Sequence, residues 1–248
     1  MDEIKNAETA LNEQKIKPLY KMFNSIPKRY DLMNRMLTLR FDELWRKRTI
    51  NECLKNNPEN IIDLCTGTGD MVIRTAMKAD YSPKITAMDF SENMLEYAKI
   101  KAGKKSVSNK IKFVKDDTSN MKFKENSFEA ATISFAFRNL TFRNPISDAA
   151  LNEIHRIVKP EGRFIIVESS QPSNKLFKIF FNLYLDIMVK RFGGIISGHR
   201  SAYNYLAFSA KNYYSANEVD QLLLDHGFNS VEHQNLMGGL AAIHIATK

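Results

Sequence analysis

Cysteine is scarce in this chain, and the little present is not grouped. The two cysteines are Cys53 and Cys65. Nothing spaces them as a metal pair, and a reducing cytoplasm is the simplest home for such a protein. The five histidines are scattered without ligand spacing, so no metal is expected. No uninterrupted apolar run is long enough to cross a bilayer. The opening MDEIKNAETA is polar and acidic and does not read as a signal peptide. No zinc-ligand pattern, aromatic RNA-binding strand or recognition helix accompanies the basic residues, so no nucleic-acid partner is expected.

What remains is a soluble globular composition, 44% hydrophobic and 26% charged over 248 residues. That length suits one large α/β domain with its own core, with or without an added lid. The formal charge of +8 is spread over many segments. It serves solubility and equally a weak attraction to an anionic membrane surface.

The stretch that organises the chain is IIDLCTGTGD, residues 61–70. Branched apolar residues lead into Asp63, then a turn with Gly67 and Gly69, then a helical pattern. This reads as a buried parallel strand ending on a tight loop at a helix N-terminus. The glycines leave room for a ligand against the backbone. Asp63 is a carboxylate where a phosphate cradle would not want one, so a cationic or hydroxyl-rich group suits the site better. KITAMDF (84–90) is a second strand, ending at Asp89 about twenty residues beyond the loop, where a carboxylate accepts from both ribose hydroxyls. Ser91 is free to cap the following helix.

Strand and helix then alternate: strand 61–66, helix 69–79, strand 84–90, helix 91–103, strand 111–116. This argues a mostly parallel sheet covered on both faces. Asp117 and Thr118 follow the third strand, placed to recognise a heterocycle's amino group. FEAATISFAF (128–137) reads as one central strand running into Arg138-Asn139. An arginine and an amide there are costly unless paired or facing a cleft, which makes them candidates for handling a second substrate. A helix over 145–158 is stopped by Pro160-Glu161-Gly162, and a strand over 162–170 places Glu168 near its cleft end. Before the sheet, helical spacing covers 13–36 up to the break at Pro27, and a second amphipathic helix covers 41–54. Residues 176–189 are apolar nearly all round, as in a helix that is buried or faces a greasy ligand. The stretch 191–206, with His199, Arg200 and two tyrosines, fits a mobile cover. A helix from Ser215 to His226 and two strands around Gly238-Gly239 close the chain. Four units are expected: an N-terminal helical cap (1–57), an α/β core (58–171), a substrate-side helical lid (172–214) and a C-terminal completion of the core (215–248).

With these blocks in view, the sequence resembles the class I S-adenosylmethionine-dependent methyltransferases, and more closely the ubiquinone and menaquinone biosynthesis C-methyltransferases. The likeness is carried by MFNSIPKRYDLMNRML (22–37), DLCTGTGD (63–70), DFSENML (89–95), NSFEAATISFAFRN (126–139), EIHRIVKPEGR (153–163), ISGHRSAYNYLAFS (196–209) and GGLAAIHIATK (238–248). It implies a three-layer α/β fold with a seven-stranded, mostly parallel sheet and an antiparallel last strand. It implies S-adenosylmethionine over the cleft edge, with Thr68 and the loop at the methionine portion. By the same likeness Asp89 holds the ribose, Asp117 and Thr118 lie on the adenine side, Ser134 stands under the cosubstrate, and Asp63 lies near the sulfonium. The acceptor implied is a polyprenylated quinol, most closely a demethylmenaquinol, with Tyr30, Asn34, Phe137, His199 and Tyr203 on the substrate side. Peripheral membrane contact and a homodimer stay open. Members usually read FGxRN where this chain has Phe135-Ala136-Phe137-Arg138-Asn139, a change that alters clearance beside the acceptor ring. They also commonly carry an LPF-like turn where Met121-Lys122-Phe123 stands, and aspartate at Glu129.

Methyl transfer to a ring carbon needs alignment and electron density on that carbon. Arg138 stays protonated and so stabilises a developing phenolate rather than acting as a base, while Asn139 orients the ring oxygen. His199, Tyr203 and His244 are the candidate proton acceptors. Three other readings remain: a methyltransferase for another lipophilic small molecule, a nicotinamide oxidoreductase, which would normally carry GxGxxG, and a basic RNA-binding or scaffold protein.

Overall fold

A computed structural model describes residues 40–172, 174–185 and 207–248, together with Arg35, Thr38 and Ile187. Helix α1 (Phe41–Leu54) leads into β1 (Asn60–Leu64), α2 (Asp70–Lys78), β2 (Lys84–Asp89), α3 (Glu92–Lys104) and β3 (Ile111–Lys115). The chain continues through β4 (Phe128–Ser134), α4 (Phe137–Thr141), α5 (Ser147–Ile157), β5 (Val158–Ser169) and α6 (Lys175–Tyr184). It ends with α7 (Ala216–Asp225), β6 (Ser230–Leu236) and β7 (Ala241–Thr247).

The strands form one seven-stranded sheet in the order β3-β2-β1-β4-β5-β7-β6. Pairings from β3 through β5 are parallel, and β7 runs antiparallel to both of its neighbours. The strand order reverses at β1/β4, the switch point at which open α/β sheets place ligands beyond the strand C-termini.

Successive side chains of a strand point to opposite faces. Ile61, Ile85, Ile165 and Ile243 therefore pack with Trp45 of α1 and Val72, Ile73 and Ala76 of α2. Ile62, Leu64, Ile133, Phe164 and Ile166 pack with Leu151 and Ile154 of α5 and Val219 and Leu223 of α7. Both faces are covered, which is why the central strands read as continuous apolar runs. Helix α7 begins with a reciprocal cap: Ser215 Oγ accepts from Glu218 N–H, and Glu218 Oε2 accepts from Ser215 N–H.

Two boundaries differ from the sequence reading. The apolar run 128–137 is not one strand. β4 ends at Ser134, Phe135 turns the chain with φ +56°, and residues 137–141 coil into α4. β5 starts at Val158 rather than Gly162, with a register shift against β4 between Phe128 and Ala130. Pro160-Glu161-Gly162 thus forms a bulged opening of the strand. The expected N-terminal helix over 13–36 and the cover over 191–206 lie outside the described residues.

Candidate active site

The loop between β1 and α2 is held by glycines for two separate reasons. Gly67 has φ +56°, and a Cβ there would meet nothing closer than Cys65 O at 3.9 Å, so the loop's outer surface stays clear. Gly69 has φ +80°, and a Cβ there would lie 2.9 Å from Ala98 Cβ of α3. The first glycine suits a ligand's approach; the second lets α3 pack against the helix start.

Asp63, at the end of β1, is fully buried. Its Oδ2 accepts from Thr66 Oγ1 (2.6 Å) and its Oδ1 from Thr132 Oγ1 (2.7 Å). Burial pushes its carboxyl up to about 6, against the pull of the two hydroxyls and the Arg46 charge. Asp89, at the end of β2, accepts from Gly67 N–H (2.8 Å) and Ser91 N–H (2.9 Å), one on each oxygen. It thereby ties the glycine loop to β2. Burial holds its carboxyl above the ordinary range. Ser91 caps α3 from its own side chain, accepting from Met94 N–H. Phe90 N–H adds a third backbone hydrogen bond, so of the carboxylate's about four acceptor positions one is left for a hydroxyl.

Beyond β3 the neighbouring aspartates divide their work. Buried Asp116 shapes the turn, accepting from the N–H groups of Asp117 and Lys122. Asp117 is exposed, with Oδ1 engaged by Ser119, and Thr118 is buried beside Cys65 Sγ at 3.6 Å. Burial pushes the Cys65 thiol up to about 12, which leaves it a neutral lining group. Thr68 is buried and accepts from Lys101 Nζ (3.2 Å), which also pairs with Asp70 at 2.6 Å.

At the ends of β4 and β5 a second cluster forms. Glu168, buried, accepts from the N–H groups of Arg138 (3.0 Å) and Ser169 (2.8 Å) and from Ser169 Oγ. Arg138 Nη1 donates to Ser169 Oγ and lies 3.6 Å from Glu168 Oε1. The arginine's burial is thus compensated by an acid that the sequence already placed at the cleft end. Arg138 Nε and Asn139 Oδ1 are both buried with no hydrogen-bond partner among the described residues. Each is a polar group with unmet hydrogen-bonding capacity at the ends of β4 and β5.

Several expected residues fall elsewhere. Phe137 is removed from the acceptor side: α4 turns it inward, fully buried and edge-to-face with Phe164 at 6.0 Å. His244 lies mid-strand in β7, its Nδ1 2.7 Å from Asp220 Oδ1, while His233 Nδ1 meets Asp220 Oδ2 at 2.5 Å. It braces α7 to the β6–β7 pair. These three residues hold their donor atoms within 4.8 Å, the one such grouping among the described residues, and are bonded to one another. Tyr30, Asn34, His199 and Tyr203 lie outside the described residues.

The sequence reading missed Arg46. It is buried on α1, and its Nη1 donates to Ser134 Oγ at 2.9 Å. A signal was present, since Asp42, Trp45, Arg46, Thr49, Ile50 and Cys53 share one helical face. Two charges on an otherwise core-facing stripe mark a buried polar purpose.

Residues 8–248 match the family model described as the ubiE/COQ5 methyltransferase family. The chain belongs to that family. It is therefore an enzyme that uses S-adenosylmethionine as methyl donor, and the open glycine loop with carboxylates at the ends of β1, β2 and β3 fits that donor. Among curated relatives, the ubiquinone/menaquinone biosynthesis C-methyltransferase UbiE of Francisella tularensis is 32% identical over 236 residues, 95% of this chain and 93% of that one. The demethylmenaquinone methyltransferase of Lactococcus lactis is 34% identical over 240 residues, 97% of this chain and 92% of the relative. The fold is shared with a SAM-dependent methyltransferase from Aquifex aeolicus, with TM-score 0.58, 19% identity, and coverage of 84% of this chain and 91% of that one. It is also shared with the [4+2]-cyclase SpnF at TM-score 0.53, 16% identity, and coverage of 84% and 81%. One fold carries both reactions, so the family assignment and the site say more about this enzyme than its architecture does.

Proposed function

We propose that this enzyme methylates a ring carbon of a polyprenylated quinol, with demethylmenaquinol as the preferred acceptor. The observation that carries the reading is the half-buried Arg138-Asn139 pair, with a donor and an acceptor that make no hydrogen bond among the described residues. As the ring carbon attacks the donor methyl, the carbon–sulfur bond breaks and a carbon–carbon bond forms. The hydroxyl ortho to that carbon loses its proton, and the ring carbon later gives up its hydrogen as a proton. Arg138 stabilises the charge growing on the phenolic oxygen, and Asn139 holds the hydroxyl in line. Asp63 supplies fixed negative charge near the sulfonium; Asp89 takes the ribose, Asp117 and Thr118 the adenine, and Thr68 and Ser134 the methionine side. Tyr30, Asn34, His199 and Tyr203 belong to the acceptor side of this reading.

The lipophilic acceptor is supported by α6. Leu176, Ile179, Phe180 and Leu183 recur at helical spacing and are each more than half exposed. Such a stripe suits contact with an isoprenoid tail or the membrane surface that holds it. No helix among the described residues is long and apolar enough to cross a membrane, so this reading has a cytoplasmic enzyme resting on the bilayer. Residues 172–214 serve it as the substrate-side lid, and a homodimer across the same stripe is the competing use of that face.

The test is methyl transfer from labelled S-adenosylmethionine to a demethylmenaquinol and to the corresponding benzoquinol, both reduced, in detergent. Label in the naphthoquinol alone is expected. Label in both would mean a shared ring pocket, and label in neither, with S-adenosylmethionine still bound, would overturn the quinol reading.

A further inference from the structure

We propose that Arg46 forms an anion subsite that binds the α-carboxylate of the methyl donor's amino-acid tail. The donor carries three charges: a sulfonium, an ammonium and a carboxylate. Around the glycine loop the described residues present Asp63, Asp70, Asp89 and Asp117. That collection suits the two cations and repels the carboxylate, which needs a cationic partner of its own.

Two other cations beside the loop pair with acids, although Arg35 Nε, like Arg46 Nε, makes no hydrogen bond among the described residues. Lys101 pairs with Asp70 at 2.6 Å, and Arg35 lies 3.5 Å from Glu43 and 3.7 Å from Asp70. Arg46 is set apart by its burial, where Arg35 and Lys101 are part-exposed. Among the described residues its guanidinium makes one hydrogen bond, from Nη1 to Ser134 Oγ at 2.9 Å. Its Nε is buried with no hydrogen-bond partner, and the nearest acid, Asp42 Oδ2, is 3.6 Å away. Five N–H donors in a rigid fork are therefore largely unused in a side chain only 7% exposed. A carboxylate accepting two parallel N–H bonds is the ligand such a fork matches.

The surroundings hold the group ready. Arg46 lies over the Phe135 ring, 5.1 Å from its centroid, which fixes the plane of the guanidinium. Trp45 and Thr49 seat its stem on the α1 face packed against the sheet. Its charge is felt at both Asp63 and Asp70, the two acids that bracket the loop. Ser134, to which it donates, ends the strand beside β1. Ser134 thus acts on the donor through a charged neighbour on a different element, a link that no local motif contains.

The test compares two ligands by calorimetry without any acceptor, so its failure leaves the quinol reading untouched. S-adenosylhomocysteine carries the amino-acid tail, and 5′-methylthioadenosine lacks it. Arg46→Gln should weaken S-adenosylhomocysteine by ~10- to 10²-fold, the size of one charge-assisted bond. Methylthioadenosine should bind within about twofold of wild type by the same reasoning. Arg46→Lys, which keeps the charge and loses the fork, should fall between them. Parallel weakening of both ligands would mean that Arg46 only supports the fold, and unchanged S-adenosylhomocysteine would place the carboxylate elsewhere. If Arg46→Gln strands Asp42 and does not fold, the double variant Arg46→Gln with Asp42→Asn replaces it. The wild-type protein also decides alone: a decarboxylated S-adenosylhomocysteine that binds as tightly as the parent overturns the subsite.

Discussion

Asp63 is a buried carboxylate held by two hydroxyls and a cost to the fold, and Asp63→Asn measures that cost. The carboxyl is raised from the ordinary 3.8 to about 6, chiefly by desolvation. A raised carboxyl means that the folded protein holds this proton more tightly than the unfolded chain does. Its contribution to stability is therefore fully present below the unfolded value, is lost as pH rises toward 6, and is absent above. A shift of this size corresponds to about 3 kcal/mol across that window. Asparagine stays neutral throughout, and the hydroxyls of Thr66 and Thr132 can rotate to meet its amide. Urea unfolding of both proteins from pH 4 to pH 8 should show near-equal stability at pH 4 and a variant more stable by about 3 kcal/mol at pH 8. Taking the difference between the two proteins cancels the other carboxylates, such as Asp70, Glu129 and Asp220, whose lowered pKa values act in the opposite direction. A difference that does not change with pH would refute the reasoning, because the burial cost would then not be electrostatic.

Further expectations concern the loop and the β4–β5 cluster. Asp89→Ala removes the proposed ribose acceptor and the anchor of Gly67 N–H together, and should weaken S-adenosylmethionine by ~10²-fold in calorimetry; an unchanged dissociation constant would rule out the ribose role. Arg138→Ala, combined with Glu168→Gln so that no buried carboxylate is stranded, should lower turnover by ~10²-fold while S-adenosylmethionine affinity holds. Equal turnover would remove Arg138 from catalysis. Gly69→Ala forces a side chain into φ +80° and within 2.9 Å of Ala98 Cβ, and chemical denaturation should show a loss of about 2–4 kcal/mol.

The alternation of strand and helix was legible because each buried parallel strand is a short apolar run bounded by a turn, as in Ile61–Leu64 and Lys84–Asp89. The strand-end acids Asp63, Asp89 and Glu168 were legible for a related reason, since a charge closing an apolar run must face something polar. What stayed hidden depends on tertiary partners. Phe137 looked like strand because hydrophobicity cannot distinguish FEAATIS from the turn and helix that follow; only the positive φ at Phe135 does. The hydroxyls of Thr66 and Thr132 converge on Asp63 from the loop and from a neighbouring strand. Asp220, His233 and His244 meet only once the β6–β7 register is set, with His233 opposite His244. Arg46 is bonded to a residue far along the chain, and no spacing rule reaches that distance.

The position of β7 has a consequence for how the protein is made. It lies between β5 and β6, yet it follows both in the chain. While a ribosome is still synthesising residues 241–247, β5 presents an unpaired edge whose Phe164–Val167 segment is wholly apolar. Until β7 arrives that edge is a template for any passing strand. Early strands can pair as they emerge, but the sheet cannot close before residues 241–247 have been made. A nascent enzyme of this topology is thus most exposed to misassociation between the synthesis of β5 and that of β7, the interval in which a chaperone would have most to protect.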